Sequence, residues 1–456
     1  MSRSAVRLHR FAVLQRNEPV TNRCAERLLM IVHQCLLFLC LVATAAAGSA
    51  AAQPDRVEFR DGDRVVLLGA TFIERAQQFG HLEAALAART NGSRVIFRNL
   101  GWSADTVFSD SRGIFDSPEK GYQRMLEHVR SLQPTLILIC YGQNEALDAS
   151  ISIEQFSQQY EELVKELKPL GARLVLISPH ELLPAPAPIP SPSRFNSDLQ
   201  EYVAVVRDVA ARTGVGYVDL FTQFTDDVWS SSQTLATGKV RLPGSPVDHP
   251  DLLPTVAAHW TANGMHWNDE GYRVVSRVVS RRLTHVTDDQ CAVEVDLASR
   301  NVTVSGGRIR NAVWSDEAAT LLRFELQPEM VTSVPWQLQI TGQGRSAVEA
   351  TVITTAGRRN AALLPQQDSD KSTLMTLGMD PQYEELRTAL IRKNRLYFHR
   401  WRPQNITYLF GFRKHEQGQN AVEIPQFDPL VADMESHIEE LLTPAWVTVE
   451  LSARDK

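Results

Sequence analysis

The sequence is poor in several features that mark special classes of protein. Its 456 residues include only five cysteines, too few and too scattered for a disulfide framework or a zinc cluster. The 47 Lys and Arg residues are outnumbered by 53 Asp and Glu residues, so no overall attraction to nucleic acid is expected. Internal repeats are absent, and His415-Glu416 lacks the second His of a metalloprotease helix.

The composition is otherwise that of an ordinary globular protein. Hydrophobic residues make up 43% of the chain and charged residues 22%. These fractions exclude a disordered chain, a collagen-like chain and a polytopic membrane protein. At about 150 residues per domain, the length allows two or three hydrophobic cores.

The N-terminal segment has the residue order of an export signal. Arginines dominate its first part, an apolar run follows from Leu28 to Ala47, and small residues then offer a cleavage site after Ala52. We therefore expect residues 1–52 to be a signal peptide and the mature protein to be exported, to the periplasm or the exterior. The alternative is a retained membrane anchor, because about 20 apolar residues can span a bilayer. Only in that case is a membrane a partner.

Residues 60–285 alternate between strand-like and helix-like segments. Short, continuous apolar runs are typical of parallel strands that are covered on both faces. The runs are Val65–Leu68, Val95–Phe97, Leu136–Cys140, Leu174–Ile177 and Tyr217–Leu220. Such alternation predicts a doubly wound α/β domain, in which ligands bind at the carboxyl ends of the strands. Those ends are polar in this sequence.

The rest of the chain changes character twice. Alternating apolar residues and Gly-rich turns predict a small β-rich domain over residues 291–375. Helical spacing then predicts that residues 380–456 form a helical region packing on the rest, with helices over 383–401 and about 428–442.

Two irregular segments stand out. A stretch from about Asp226 to Asn263 is too long for a simple connection, so we interpret it as a lid or binding loop. A dense run of arginine and aromatic residues from His399 to His415 carries no assignable chemistry. We expect it to pack onto the α/β domain with its arginines stacked on Tyr397, Trp401 or Tyr408.

Four motifs at the predicted strand ends, taken in chain order, resemble the four sequence blocks of the SGNH (GDSL-type) hydrolases. They are Gly69-Ala70-Thr71, Gly101, Gly142-Gln143-Asn144-Glu145 and Asn263-Gly264-Met265-His266. The resemblance covers about half of the chain. It implies a flavodoxin-like, three-layer α/β/α domain that hydrolyses esters, including lipid esters and acetyl groups on sugars.

The resemblance also implies a role for each matching residue. Thr71 takes the place of the nucleophile and His266 that of the general base. Gly101 and Asn144 take the places of the oxyanion-hole donors, and Asn263 that of the acid which orients the histidine. An ester-bearing small molecule or glycan is the implied substrate, and no metal or organic cofactor is implied.

Two of these positions depart from the family pattern. Thr71 keeps the hydroxyl of the usual Ser but adds a methyl group that crowds attack. Asn263 replaces Asp, a change that costs about 10⁴ in turnover in a serine protease, although cysteine proteases do use Asn there. Asp269 and Glu145 are the nearest acids in sequence that could take over.

Each residue also has a structural interpretation. Thr71 and Glu74 have the spacing of a helix capping box. Gly101 could be a turn glycine with positive φ, Asn144 a cap or turn residue, and His266 a helix-start residue. Tryptophans beside the polar loops suit sugar rings or pack the lid; they are Trp102, Trp229, Trp260 and Trp267.

Two functional hypotheses follow. The first is an exported SGNH-type ester hydrolase acting on acyl, chiefly acetyl, esters of carbohydrates. The second is a catalytically silent protein of the same fold that binds glycans or a cell-surface partner. The Thr71 and Asn263 departures favour binding, whereas His266, Asn144 and Gly101 favour catalysis.

Overall fold

The structure is a computed structural model. It describes residues 56–185, 188–221, 260–261, 263–284, 290–315, 320–342, 347–355, 357–364 and 373–454. The expected signal peptide, Trp229 and most of the expected lid lie outside the described residues, and the predictions about them stay predictions.

The first half of the described chain alternates strands and helices as expected. Its elements are β1 (Asp63–Gly69), α1 (Thr71–Phe79), α2 (His81–Ala87), β2 (Val95–Asn99), α3 (Pro118–Ser131), β3 (Leu136–Cys140), α4 (Gln143–Leu147), α5 (Ile153–Leu167), β4 (Arg173–Ile177), α6 (Ser193–Thr213), β5 (Gly216–Val218) and α7 (Asp269–Leu283). The five strands pair in parallel in the order β2-β1-β3-β4-β5. This is the flavodoxin-like order, so the expected three-layer α/β/α fold is confirmed.

The middle of each central strand is apolar because both faces of the sheet are covered there. In β1, Val65 and Leu67 pack into the core on one face, and Val66 and Leu68 into the core on the other. Successive side chains of a strand point to opposite faces, so a strand buried on both sides has no polar position. This explains why the apolar runs located the strands to within two residues.

The second half of the described chain contains two antiparallel-rich sheets and a helical segment. Its elements are β6 (Ala292–Asp296), β7 (Asn301–Ser305), β8 (Gly307–Trp314), β9 (Thr320–Pro328), β10 (Trp336–Thr341), β11 (Ala347–Thr354), β12 (Gly357–Leu364), β13 (Thr373–Gly378), α8 (Pro381–Trp401), α9 (Ile406–Leu409), α10 (Lys414–Gln417), α11 (Phe427–Leu441) and β14 (Val447–Arg454). One sheet has the order β13-β10-β6-β7 and the other β12-β11-β14-β9-β8. They enclose a common apolar core that includes Val293, Phe324 and Leu338.

The last strand corrects the expectation of a wholly helical region over residues 380–456. β14 lies between β9 and β11 and pairs antiparallel with both. Val447, Val449 and Leu451 are buried and alternate with polar residues, which is the two-residue period of a strand. The pattern is too short to stand out after a long amphipathic helix. As a result, the sheet that contains β9 and β11 also includes β14, which lies outside the predicted β-rich range of 291–375.

Helix α8 is attached to the α/β domain by buried polar contacts. The Lys393 ammonium donates to Glu83 Oε1 (2.5 Å) and to the carbonyl of Phe97 (3.1 Å). Asn394 Nδ2 donates to the other Glu83 oxygen at 2.8 Å. Lys393, Asn394 and Glu83 are all buried. A buried carboxylate with these partners ties the C-terminal helical segment firmly to α2, which agrees with the expected packing.

Among the described residues, no helix is both long and apolar enough to cross a membrane. Cys140 and Cys291 are both buried and both free thiols.

Candidate active site

Thr71 is the first residue of α1 and follows β1 directly. Its Oγ1 accepts a hydrogen bond from the backbone N–H of Ala104 at 2.9 Å. The residue at the N-cap position is Ala70, and no side chain caps this helix. The capping-box interpretation is therefore wrong. Because the helix already begins at Thr71, its hydroxyl is not at the position from which a cap reaches the third helical N–H.

Gly101 follows β2 and is buried. A Cβ at this position would collide with the backbone nitrogen of Glu74. Its φ is not among the positive values of the described glycines, so the turn-glycine interpretation is wrong and close approach to α1 is the reason for glycine. Its N–H donates to Asn99 Oδ1 at 2.8 Å. This donor, expected in the oxyanion hole, is occupied by a neighbouring side chain in the structure.

Asn144 is the second residue of α4 and lies close to the loop that follows β2. Its Nδ2 donates to the carbonyl of Asp105 at 2.6 Å. An amide nitrogen carries two hydrogens, so one remains for a ligand. The cap position of α4 belongs to Gly142, so Asn144 is not a cap. At α1, the first N–H groups have no acceptor within the helix and add positive potential near Thr71.

Asn263 and His266 form a pair just before α7. Asn263 Nδ2 lies 3.1 Å from His266 Nδ1. The amide oxygen of Asn263 accepts from the backbone N–H groups of Met265 (3.2 Å) and His266 (2.9 Å). These two donors require the oxygen on their side, which assigns the NH₂ group to the ring. Nδ1 of His266 is thus an acceptor, and the neutral ring carries its proton on Nε2.

This tautomer matters for the role expected of His266. A general base needs a free lone pair on the nitrogen that faces the nucleophile, and Nε2–H has none. Burial lowers the pKa of the half-buried His266, and the nearby positive charge of Arg75 lowers it further. The ring is therefore neutral at pH 7, but its resting tautomer is a donor at Nε2.

The two acids considered as replacements for Asn263 are engaged elsewhere, so that expectation is wrong. Asp269 pairs with His81 Nε2 at 3.3 Å and with Arg387 Nη1 at 3.1 Å. Its side chain belongs to the contact between α2, α7 and α8.

Glu145 is fully buried and accepts two backbone hydrogen bonds. The donors are the N–H groups of Val107 at 2.7 Å and Gly142 at 2.8 Å. Burial outweighs these bonds and raises the pKa of Glu145 to about 7. The carboxyl group holds the loop after β2 against the end of β3, so it is committed to this loop and does not take the place of Asn263.

His180, which follows β4, joins the elements that carry the expected site residues. Its ring lies 5.4 Å from the ring of Phe72 in α1 and 5.0 Å from that of Trp267. Gln143, in α4, places Nε2 3.3 Å from His180 Nε2. Burial lowers the pKa of His180 to about 4, and the proximity of His266 contributes a smaller lowering.

The expected residues thus lie where the carboxyl ends of the strands meet. Most of them form hydrogen bonds there, but the bond expected between the nucleophile and the base is not present. Asn263 contacts His266, Thr71 contacts Ala104, and Asn144 contacts Asp105. Between Thr71 and His266 the described residues show no hydrogen bond. Sequence reasoning had not assigned a role to His180; its position directly after a central strand was the available signal.

The tryptophans are not sugar platforms in the described structure. Trp102, Trp260 and Trp267 are exposed by only 8%, 9% and 1%. Trp260 and Trp267 both belong to the core that packs against α7, so neither offers a face to a sugar ring. One face of Trp102 is covered by the guanidinium of Arg402, whose Cζ is 3.3 Å from the ring centroid.

Arg402 is a further residue that sequence reasoning missed at this edge. Besides covering Trp102, its Nη1 donates to Glu74 Oε1 at 3.0 Å. The other oxygen of Glu74 accepts from the backbone N–H of Ser103. The signal for it was the run of arginine and aromatic residues from His399 to His415, whose expected packing on the α/β domain Arg402 bears out.

No group of three or more His, Cys, Asp or Glu side chains is placed to hold a metal ion in the described part of the chain.

Comparison with known proteins identifies the domain. Residues 67–274 match the model of the GDSL-like lipase/acylhydrolase family. No curated protein matches the chain by sequence.

One solved structure shows the same fold over most of the chain. A gut microbial diltiazem-metabolizing enzyme aligns with a TM-score of 0.54 at 14% identity, covering 88% of this chain and all of that one. A mutant of an acetyl-xylooligosaccharide esterase from Geobacillus stearothermophilus aligns with a TM-score of 0.35 at 17% identity, covering 50% of this chain and 96% of that one. The first of these similarities extends the shared fold beyond the α/β domain. Residues 67–274, with their five-stranded parallel sheet, therefore form a domain of the GDSL-like lipase/acylhydrolase family.

Proposed function

We propose that this protein is an exported esterase that hydrolyses short acyl esters, acetyl groups on carbohydrates in particular, with Thr71 as nucleophile and His266 as general base. The observation that carries the proposal is the Asn263–His266 pair, which holds the imidazole through Nδ1 at the edge of the sheet that also carries Thr71. In an ester hydrolase, the base must be oriented through one nitrogen while the other serves the nucleophile.

The reaction follows the usual two steps of acyl transfer. Thr71 Oγ1 adds to the ester carbonyl while its proton passes to His266 Nε2, and that proton then leaves with the alcohol. Water next attacks the acyl-threonine and gives a proton to the same nitrogen. The bond between Thr71 Oγ1 and the acyl carbon then breaks, the acid is released, and the proton returns from Nε2 to Oγ1. The second amide hydrogen of Asn144 and the first N–H groups of α1 supply donors for the oxyanion.

The resting tautomer makes this reaction slow. For Nε2 to accept a proton, the ring must carry hydrogen on Nδ1, and that hydrogen then faces the NH₂ group of Asn263. The amide can turn its oxygen to the ring only by releasing the N–H groups of Met265 and His266. We therefore expect turnover well below that of an enzyme with Asp in this position.

Polar groups around Thr71 favour a small acyl group on a polar alcohol. Ser103 and Ala104 are exposed, and Asn144 and His266 are half-buried. The described part of this edge offers hydrogen-bonding atoms, which suit a polar alcohol.

The test uses residues 53–456 with p-nitrophenyl acetate, p-nitrophenyl decanoate and acetylated xylo-oligosaccharides. The acetyl substrates are expected to be cleaved faster than the decanoate, with activity lost in Thr71→Ala and in His266→Ala. Thr213→Ala and His415→Ala are matched controls, since the Thr213 hydroxyl donates to carbonyl groups of its own helix and His415 is exposed. Full activity in Thr71→Ala would contradict the proposal.

Export is tested separately by expressing the full chain. Activity is expected outside the cytoplasm, in a product that begins near Gln53. A retained full-length product in the membrane fraction would favour the anchor instead.

The second candidate is a catalytically silent binding protein. Two observations favour it, the donor tautomer of His266 and the engagement of the Gly101 N–H by Asn99. It predicts saturable binding of acetylated xylo-oligosaccharide with no turnover, in the wild type and also in Thr71→Ser with Asn263→Asp. Product formation by that double variant would argue against it.

A further inference from the structure

We propose that Arg402 is a positioning residue, which holds the loop Gly101–Ala104 in place and through it the hydroxyl of Thr71. The inference rests on the proposed function for its effect on activity. It gives the C-terminal helical segment, which lies outside the residues matched by the family model, a part in the chemistry of the α/β domain.

Arg402 makes two contacts with the site edge at once. Its guanidinium covers the ring of Trp102 at 3.3 Å from the centroid, and its Nη1 donates to Glu74 Oε1 at 3.0 Å. A guanidinium can stack and bond in this way because it is planar and its donors lie in its plane. Trp102 belongs to the loop, and Glu74 lies three residues after Thr71 in α1.

The carboxylate of Glu74 bridges Arg402 and the loop. While Oε1 accepts from Arg402, Oε2 accepts from the backbone N–H of Ser103. Glu74 is buried, so its negative charge needs these partners. Loss of the guanidinium would leave the carboxylate without its cation and weaken its hold on Ser103.

Ala104, the next residue, has a backbone conformation that depends on its neighbours. Its φ of 59° is in the left-handed region, which residues with a Cβ adopt at a cost. Its N–H donates to Thr71 Oγ1, and its carbonyl accepts from Ser111 Oγ at 2.8 Å. Strained backbone persists only where the surroundings impose it, so a loosened Ser103 lets Ala104 relax.

The consequence for Thr71 is one of orientation. In the structure, the N–H of Ala104 is the group that fixes its hydroxyl oxygen. If the loop relaxes, the nucleophile loses that partner while the rest of the pocket persists. Misplacement of a reacting group lowers kcat more than it raises KM.

The experiment compares Arg402→Ala and Arg402→Lys with the control Arg413→Ala. Arg413 has the same two kinds of contact in the same segment, since it stacks on Tyr408 at 5.0 Å and pairs with Glu416 at 2.7 Å. Its partners belong to the C-terminal segment itself, so it is not expected to influence the loop.

Two readouts are measured, steady-state hydrolysis of p-nitrophenyl acetate and hydrogen exchange of the peptide covering residues 101–106. For Arg402→Ala we expect kcat to fall at least about tenfold with KM within about twofold, and faster exchange of the Ser103 and Ala104 amides. Arg402→Lys should be intermediate, because an ammonium restores charge but not the planar fork. Arg413→Ala should match the wild type in both.

Unchanged exchange in Arg402→Ala would overturn the inference, whatever happens to activity. Faster exchange with unchanged kcat would overturn the link to Thr71. If the wild type proves inactive, the proposed function fails, while the exchange comparison still decides whether Arg402 holds the loop. Should Arg402→Ala fail to fold, Trp102→Phe reduces the stacking surface and leaves the Arg402–Glu74 bond, and it should speed exchange to a smaller extent.

Discussion

The NH₂ group of Asn263 faces Nδ1 of His266 at 3.1 Å because two backbone N–H groups hold the amide oxygen. A carboxylate in the same place would accept from those N–H groups with one oxygen and from Nδ1–H with the other. Replacement of the amide nitrogen of Asn263 by an oxygen would therefore change Nε2 of His266 from a hydrogen-bond donor to an acceptor.

The first prediction is that Asn263→Asp raises kcat, by up to the roughly 10⁴-fold that the reverse change costs in a serine protease. The base works when neutral, so activity falls as pH drops through its pKa. In the wild type the fall in activity should occur below pH 6.5, the ordinary pKa of a histidine, because the pKa of His266 is lowered. The new carboxylate raises the pKa of His266, so the fall in activity should move to higher pH. Profiles of kcat against pH for the two proteins test this.

The control for that change is His266→Ala in the Asn263→Asp background, which should remove the gain. A gain that survives the loss of the histidine would show that the introduced carboxylate acts in another way.

The second prediction concerns the nucleophile. Thr71→Ser should keep or raise activity, because it removes the crowding methyl and keeps the oxygen that accepts from Ala104. Thr71→Ala should abolish activity and cost about 0.5–1.5 kcal/mol of unfolding free energy for one lost hydrogen bond. Kinetics and urea unfolding of the three proteins measure both effects. Equal rates for wild type and Thr71→Ala would exclude Thr71 as the nucleophile.

The third prediction concerns the stability of the protein against pH. Burial raises the pKa of Glu145 to about 7 from an ordinary 4.5, so the folded state binds its proton more tightly than the unfolded state. Its contribution to stability is therefore fully present below about pH 4.5 and is lost as pH rises towards 7. Unfolding free energies measured at intervals from pH 4.5 to 8 should show this decline.

Glu145→Gln provides the comparison. The amide has one acceptor oxygen for the two N–H groups of Val107 and Gly142, so the variant should be about 1–3 kcal/mol less stable at pH 5. It should also lack the part of the pH dependence that belongs to Glu145. If the unfolding free energies of the two proteins change with pH in parallel, the Glu145 carboxyl group does not titrate between pH 4.5 and 8.

The fourth prediction concerns the attachment of α8. Lys393→Met leaves the buried carboxylate of Glu83 without its cation and should cost about 3–5 kcal/mol of unfolding free energy. Arg392→Met is a matched control at an exposed neighbour and should stay within about 0.5 kcal/mol. Denaturant unfolding measures both. Adding Glu83→Leu to Lys393→Met should recover part of the lost unfolding free energy, because no unpaired carboxylate is then buried. If the double variant is instead less stable than Lys393→Met, the two side chains do not act as a pair.

The strands of the α/β sheet could be predicted from local composition. Its strands are buried on both faces, so local composition marks them without reference to the rest of the chain, as in Leu136–Cys140. The long helix ending at Trp401 was likewise visible from its spacing. The order of motifs along the chain was enough to indicate the family of the domain.

The contacts between atoms of the candidate site could not be predicted in this way. Whether Thr71 caps its own helix or contacts Ala104 depends on where the helix begins, and a shift of one residue changes the partner. The tautomer of His266 depends on two backbone N–H groups that no side-chain pattern records. Arg402 and Glu74 are 328 residues apart in sequence. Contacts of that kind arise from the packing of whole elements. Local sequence carries no information about them, because a charged residue taken alone gives no sign of a partner so far away in the chain.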